Sequence, residues 1–204
     1  MESGKTLTDD YERIRKSTDT QELSLLAREK MDKEEVGDEE FAIKSALLEA
    51  VAANPLTPLE DRVYLASSSS FPNILVRLSQ DKDSGVRQAV AANPASKNWL
   101  LSKLAKDEDE SVREAALKNP TSSWKAKLEA AQDPSSSPAL LGFLSGLGKD
   151  APEGSKEFVL SSMVRSSVAR NPSCPHELLS SMAQDSSPEV ASAASKRVSQ
   201  DNVQ

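Results

Sequence analysis

The sequence predicts an all-α solenoid, built from short two-helix units that repeat every 26 residues. Asn-Pro steps occur at Asn54, Asn93, Asn119 and Asn171, and the intervals between the last three are 26 and 52 residues. Close versions of one segment occur three times, at residues 86–94, 112–120 and 164–172. The chain of 204 residues is 37% hydrophobic but only 4% aromatic, which fits a thin core of stacked small residues better than one aromatic-rich core.

Residues 1–46 precede the array and are expected to form its charged, helical N-terminal cap. Helical spacing of apolar residues is visible at Leu23, Leu26 and Ala27. After a break that contains Gly37, a second helix is expected to begin near Asp38. It should end at Asn54, because the residue before a proline is pushed out of the helical conformation. Two helices are therefore predicted up to this point.

The array is predicted to span residues 47–198, with a polar tail at 199–204. The first helix of each unit has an N-cap in register, because Asp83, Asp109, Ser135, Ser161 and Ser187 follow one another at intervals of 26 residues. Asp and Ser side chains accept hydrogen bonds from the free amides of a first helical turn. Three residues after each cap comes a column made of Val86, Val112, Pro138, Val164 and Val190. Small residues follow, which would let neighbouring helices approach closely.

A second, shorter helix is predicted after each Asn-Pro step. It is marked by apolar residues at i and i+4, such as Leu100 and Leu104. These segments close at an Asp that is again in phase, at Asp81, Asp107, Asp133 and Asp185. One unit is irregular at about 145–160, where Gly146, Gly148, Pro152 and Gly154 predict a loop or a distorted helix.

The asparagines that precede proline invite a functional and a structural interpretation. They could form a polar site, or their side-chain amides could satisfy backbone groups of the loops. We favour the structural interpretation, because an Asn amide both donates and accepts hydrogen bonds. It applies to Asn54, Asn93, Asn119 and Asn171.

These motifs resemble the leucine-rich repeat variant (LRV) family of bacterial proteins. The resemblance is carried by residues 86–109 and 112–120, with their Asn-Pro corners, and by the Leu-Leu-x-x-Leu-Ala-x-Asp segment at 100–107. It covers residues 47–120 and 161–198, whereas residues 121–160 match in cap register and length only. It implies a right-handed superhelix in which α-helices alternate with 3₁₀-helices.

The resemblance also bears on cofactor and activity. Some members of the family carry a cysteine-rich iron–sulfur module, and its cysteines have no counterparts in this sequence. We therefore expect no cofactor. The family has no general biochemical activity, so the resemblance implies a scaffold.

The charge of the chain bears on the class of partner. The formal net charge is −7 and the isoelectric point is about 4.9, so the chain is acidic. A protein that grips a phosphate backbone usually shows a basic surplus or a basic stripe. Nucleic acid is therefore disfavoured as a partner, and a protein or a peptide is favoured.

No catalytic or metal-binding constellation can be assembled from the sequence. Cys174 is the single cysteine and His176 the single histidine, and two such residues alone make neither a zinc site nor a nucleophile with its base. We therefore expect no enzymatic activity. The N-terminus lacks the apolar run of a signal peptide and no stretch is apolar enough for a membrane span, so a cytoplasmic location is expected.

Three arginines are candidates for partner binding, because Arg87, Arg113 and Arg165 each follow the apolar valine of a unit. They could form a ladder that holds an anionic partner. Alternatively, each could pair with an Asp such as Asp81 or Asp107 and brace the stack, which is the interpretation we favour. Convergence of the arginines on one groove would favour nucleic acid, whereas pairing with Asp would favour bracing.

Two tryptophans complete the candidate set, because Trp99 and Trp124 lie off the apolar columns. They are 25 residues apart, so we expect them on the same side of the stack. Aromatic residues outside a core are enriched at binding surfaces, although packing across a unit boundary is the alternative. The sequence thus favours a non-catalytic scaffold that presents one face to a protein or peptide. The alternative is a HEAT-like solenoid that binds nucleic acid through a repeated Arg and Lys face.

Overall fold

The structure is a computed structural model that describes residues 6–29 and 33–201, without the side chains of residues 33–36 and 201. Within these residues it contains thirteen α-helices and no strand, so the predicted all-α class is confirmed. The chain divides into two compact units, residues 1–121 and 122–204. None of the described helices combines the length and the apolar character that crossing a membrane requires.

The first unit is a layered arrangement in which most helices pack against the second next helix along the chain. Its helices are α1 Leu7–Arg15, α2 Thr20–Arg28, α3 Lys33–Ala53, α4 Leu59–Ser68, α5 Pro72–Leu78, α6 Ser84–Ala92, α7 Asn98–Leu104 and α8 Glu110–Lys118. One row contains α1, α3 and α5, and another contains α2, α4, α6 and α8. A continuous apolar core runs between them, and it includes Ile14, Leu23, Val51, Leu65, Leu75, Val90 and Val112.

The second unit is built in the same manner from five helices. They are α9 Trp124–Gln132, α10 Pro138–Ser145, α11 Lys156–Arg170, α12 His176–Met182 and α13 Pro188–Asp201. Here α9 packs against α11 and α11 against α13, while α10 lies against α11 and α12 against α13. The buried apolar residues include Leu141, Leu144, Val164, Val168, Leu179 and Val190.

The predicted N-caps are confirmed where the repeat is regular. Asp83 caps α6 and accepts hydrogen bonds from the amides of Gly85 and Val86, and Asp109 caps α8 and accepts one from the amide of Ser111. Ser187 immediately precedes α13. These positions support the register of the predicted helices.

The N-cap predicted at Ser135 is wrong. The side chain of Ser137 accepts the hydrogen bond from the amide of Leu140, and α10 begins at Pro138. A proline fits the first helical position, because an N–H group at this position would have no intrahelical partner. The φ of proline is also already close to the helical value. The helix therefore begins two residues later than the repeat register predicts.

The irregular region at about 145–160 is a loop followed by the start of a helix. α10 ends at Ser145, and α11 begins at Lys156 with Ser155 as its N-cap. The N-cap predicted at Ser161 is therefore wrong, because this residue lies inside α11. Gly148 has a φ of 59°, and a Cβ atom at this position would collide with the side chain of Ser161, so only glycine fits this turn.

The N-terminal part contains one more helix than the sequence predicts. α1 was missed because Ile14 is its only buried residue, but a capping box formed by Thr6 and Asp9 starts it. The break at Gly37 is confirmed, because this residue has a φ of 79° and a ψ of 170° within α3. α3 ends at Ala53, directly before the Asn-Pro step, as predicted.

The second helices of the units are α-helices, so the expected 3₁₀ conformation is wrong. In α7 the amide of Leu101 donates to the carbonyl of Lys97, and the amide of Ala105 donates to that of Leu101, which is the i to i−4 pattern. The apolar residues Leu100 and Leu104 are four apart and both buried. That spacing matches 3.6 residues per turn, whereas a 3₁₀-helix has three residues per turn.

The side chains of the in-phase asparagines join one layer to the next. Asn93 Nδ2 donates to the carbonyl oxygens of Ala66 and Ser69 at 2.8 and 2.9 Å, and its Oδ1 accepts from the amide of Ala95 at 2.8 Å. Asn93 is 3% exposed, and both N–H groups of its side chain donate to carbonyl oxygens. The structural interpretation of these residues is confirmed, because the same three bonds are made by Asn54, Asn119 and Asn171.

An arginine replaces the asparagine at the last such layer of the second unit. Arg197 lies 26 residues after Asn171, where the repeat would place the next Asn. Its Nη1 donates to the carbonyl oxygens of Arg170 and Asn171 at 3.2 and 3.1 Å. The guanidinium thus supplies the two donations that an asparagine makes elsewhere.

We expect Asn119→Asp to lower the free energy of unfolding by about 2 kcal/mol or more. Asn119 Nδ2 donates to the carbonyls of Ala91 and Asn93 at 2.9 Å each, and a carboxylate would place an acceptor against these two acceptors. Asn98→Asp is the matched control, because Asn98 is exposed and its side chain accepts a hydrogen bond from the hydroxyl of Ser102, a neighbour on the same helix. Chemical denaturation measures both. Equal stabilities of the two variants would show that the asparagine contacts do not hold the layers together.

Candidate functional site

Arg87 lies on α6, and its guanidinium makes hydrogen bonds to other residues of the fold. Its Nε and Nη2 donate to the two carboxylate oxygens of Asp107, each at 2.8 Å. Its Nη1 donates to the carbonyl oxygens of Asp81 and Lys82. The residue is 7% exposed, so the guanidinium joins α6 to the turns on both sides of it. The pairing that the bracing interpretation predicts is therefore present.

Arg165 makes the equivalent contacts in the second unit and is fully buried. Nε and Nη2 donate to the carboxylate of Asp185 at 2.9 and 3.0 Å. Nη1 donates to the carbonyl oxygen of Leu147 at 2.7 Å and to the hydroxyl of Ser161 at 3.0 Å. A charge this deeply buried requires such a set of partners.

Arg113 is half-buried and donates to backbone carbonyls of the first unit. Its Nη1 donates to the carbonyl oxygens of Asp107 and Glu108 at 2.9 and 2.8 Å. These are the counterparts of the two carbonyls that Arg87 contacts. Arg113 thus also holds the turn that precedes its own helix.

Arg62 belongs to the same set, although the sequence analysis missed it. Its Nη1 donates to the carbonyl oxygen of Thr57 at 2.6 Å, and its Nε lies 2.8 Å from Asp81 Oδ2. Arg62 precedes Arg87 by 25 residues rather than 26, which hid it from the register. The spacing between arginine and aspartate could have identified Arg62. Asp81 follows Arg62 by nineteen residues, and Asp107 follows Arg87 by twenty.

The ion pair between Arg87 and Asp107 keeps both groups charged. Burial favours the neutral carboxyl of Asp107, but hydrogen bonds from Arg87 and from the amide of Asp109 outweigh it and lower its pKa below the ordinary value. The same hydrogen bond raises the pKa of Arg87. The pair is therefore ionised at neutral pH, and its charges are bonded to each other within the fold.

Trp99 lies at the start of α7, and its side chain faces solvent. It is 59% exposed, the largest exposed fraction among the described aromatic residues. The opposite side of this short helix is anchored by the buried leucines Leu100, Leu101 and Leu104. Lys103, one turn after Trp99 on the same face, is also exposed. An indole is thus held at the surface by a fixed helix.

Trp124 lies at the start of α9 in the second unit and is half-buried. Lys127 Nζ lies 5.1 Å from the centroid of its ring, within the range of a cation–π contact. Burial lowers the pKa of Lys127, and Glu157 opposes the shift. The prediction that Trp124 contacts a partner together with Trp99 stays a prediction.

Cys174 is buried and lies three residues after Asn171, at the position that Ser96 has after Asn93. Burial raises the pKa of Cys174 to about 11, so the group is a neutral thiol at neutral pH. In the part of the chain that the structure describes, no three His, Cys, Asp or Glu side chains are placed to share a metal ion.

Comparisons of the chain with models of protein families, with curated proteins and with solved structures found no match. Membership of the LRV family therefore stays a prediction that rests on the motifs.

We expect Arg87→Met to lower the free energy of unfolding by about 3 kcal/mol, because it leaves the buried carboxylate of Asp107 without its cation. The double variant Arg87→Met with Asp107→Leu removes both charges and should regain part of this loss. Lys103→Met, at an exposed position, is the control. Urea denaturation of the four proteins gives the comparison. A double variant less stable than Arg87→Met would contradict the pairing.

Acid should remove the contribution of this pair. The folded-state pKa of Asp107 lies below its ordinary value of 3.8. The ionised carboxylate therefore contributes its full stabilisation of the folded state above pH 3.8, and this contribution is lost as the pH falls through the folded-state pKa. The gap in unfolding free energy between the wild type and Arg87→Met should therefore narrow below about pH 4. Denaturation at pH 7, 4 and 3 measures the gap. A gap that is constant over this range would rule out a charged Asp107 as its source.

Proposed function

We propose that the chain is a non-catalytic, cytoplasmic scaffold for protein interaction. In this proposal it is a right-handed solenoid of the LRV type that presents one face of a helical stack to a protein or peptide. The observation that carries it is Trp99, which is 59% exposed on a helix held by three buried leucines. Tryptophan is among the residues most enriched in the energetic centres of protein interfaces, and a rigid support lowers the entropy lost on binding.

The contacts between layers support the repeating part of the proposal. Asn93 and Asn119 are 26 residues apart, and each makes the same three hydrogen bonds to the preceding layer and to its own corner. The helices that end at these residues, α6 and α8, pack against each other. Stacked units of this kind expose long surfaces, which repeat proteins commonly use for binding.

The arginines favour a protein partner over nucleic acid. A nucleic-acid-binding solenoid would need cations of successive units at the surface, where they release counterions from phosphates. Arg87 and Arg165 are instead buried and paired with Asp107 and Asp185. The net charge of −7 would also repel a polyanion.

We expect Trp99→Ala to weaken capture of the native partner by about thirtyfold while the melting transition is kept, because loss of such an anchor typically costs about 2 kcal/mol. Immobilised protein is exposed to nuclease-treated native cell extract, and the dissociation constant of the captured partner is then measured. Leu25→Ala is the control, since Leu25 is 76% exposed on α2.

Arg113→Ala should mainly lower stability, because the side chain holds the turn before α8. The scaffold proposal and its Trp99 face should be abandoned if Trp99→Ala unfolds the protein while Arg113→Ala abolishes binding. The nucleic-acid alternative gains support if nuclease treatment removes all capture.

A further inference from the structure

The first unit contains a cleft of about 330 Å³ between the corner at Asn54 and the turn that follows α5. Its wall carries three cationic side chains, Arg62, Arg77 and Lys82, and one carboxylate, Asp81. Asp81 is occupied by Arg62, because Nε of the arginine lies 2.8 Å from Oδ2 of the aspartate. The surplus positive charge of the cleft therefore belongs to Arg77 and Lys82.

These two cations are available to a ligand. Both side chains are exposed, and neither has an ion-pair partner among the residues that the structure describes. The chain as a whole is acidic, with a net charge of −7. Two unpaired cations beside a neutralised pair thus give the cleft a local positive potential, which attracts and orients anions.

The stack itself does not require a cation at the position of Lys82. The residue 26 positions later is Glu108, which has the opposite charge and lies 3.4 Å from Arg87. Arg77, in the last turn of α5, has Lys103 as its counterpart in the last turn of α7. The pair of cations at one cleft is therefore particular to this part of the unit.

The floor of the cleft is the corner at the end of α3, and it differs from the corner at the end of α4. At the end of α4, the carbonyls of Ala66 and Ser69 accept hydrogen bonds from the side chain of Asn93. Asn93 follows Asn54 by 39 residues, one and a half repeats rather than one, and its side chain bonds to α4 instead of to the corner of α3. In the described part of the chain, no asparagine side chain donates to the carbonyls of Ala52 and Asn54.

We propose that this cleft binds an acidic segment of a partner peptide. Its carboxylates would pair with Arg77 and Lys82, and its N–H groups would donate to the carbonyls of Ala52 and Asn54. A peptide supplies both kinds of group, whereas inorganic phosphate at neutral pH supplies mainly acceptors and satisfies the cations only. The inference rests on the proposed scaffold function, for which it names a site and the chemistry of the partner.

The test is a titration of the ¹⁵N-labelled full chain, followed through its backbone amide resonances. The probe is the peptide acetyl-Gly-Glu-Asn-Glu-Gly-amide, compared with the same peptide carrying Gln in place of both Glu. We expect the acidic peptide to shift amide resonances of residues 52–54, 56 and 77–83, since Pro55 has no amide proton. Binding should weaken about tenfold in Arg77→Glu and in Lys82→Glu, since each reversal removes one charge-assisted contact.

Lys103→Glu is the matched control, because it makes the same charge change at the counterpart of Arg77 on α7, outside the cleft. It should change the affinity less than twofold. Equal binding of the Gln peptide, unchanged binding by Arg77→Glu and Lys82→Glu, or absence of shifts in residues 52–54, 56 and 77–83 would overturn the proposal. So would inorganic phosphate that produces the same shifts with the same affinity, since the cleft would then be a simple anion site.

The cleft and the Trp99 surface can fail separately. If the peptide leaves the cleft resonances unchanged while Trp99→Ala still weakens capture of the native partner, the cleft proposal falls and the scaffold remains. If the peptide binds the cleft and Trp99→Ala captures the partner as the wild type does, the cleft stands and the Trp99 surface is wrong.

Discussion

The ends of the helices impose the constraint on which this fold depends. A helix leaves its last carbonyl groups without intrahelical partners, and burying them between layers is costly unless a donor is supplied. The side chain of Asn93 supplies two such donors to the layer before it and accepts one bond from its own corner. The following proline stops the helix at the same point. A single Asn-Pro dipeptide thus ends one helix and supplies hydrogen-bond donors to the carbonyls at the end of another. Arg197 makes the same two donations, so the donors matter more than the residue type.

A thin core also explains why charged side chains are buried. Small residues such as Val86 and Ala91 fill little volume, so the long side chain of Arg87 reaches across to the next turn. Burial of one charge alone would be prohibitive, but the arginine has two carboxylate oxygens and two carbonyls as partners. A shift of one layer against the next would separate Arg87 from Asp107 and leave both charges without their partner, so the pair fits one register only.

The sequence predicted the features that local chemistry determines. The caps at Asp83 and Asp109, the end of α3 before Asn54 and the turns closed by Asp107 follow from single residues and their immediate neighbours. It failed where two local signals competed. Ser137 rather than Ser135 is the N-cap of α10, because Pro138 takes the first helical position. Ser161 lies inside α11, which begins at Lys156 after the N-cap Ser155.

The candidate site was harder to predict than the fold, because it depends on distances between residues far apart in the chain. Arg87 and Arg165 could be predicted as a set, but only their contacts show that they brace the fold. The cleft was missed because it arises from a departure from the repeat. Asn93 follows Asn54 by 39 residues instead of 26 and bonds to α4, so the corner of α3 is left beside Arg77 and Lys82. The in-phase asparagines and the buried arginines join layers and are not available to a partner, whereas Arg77 and Lys82 are exposed at a point where the repeat is interrupted.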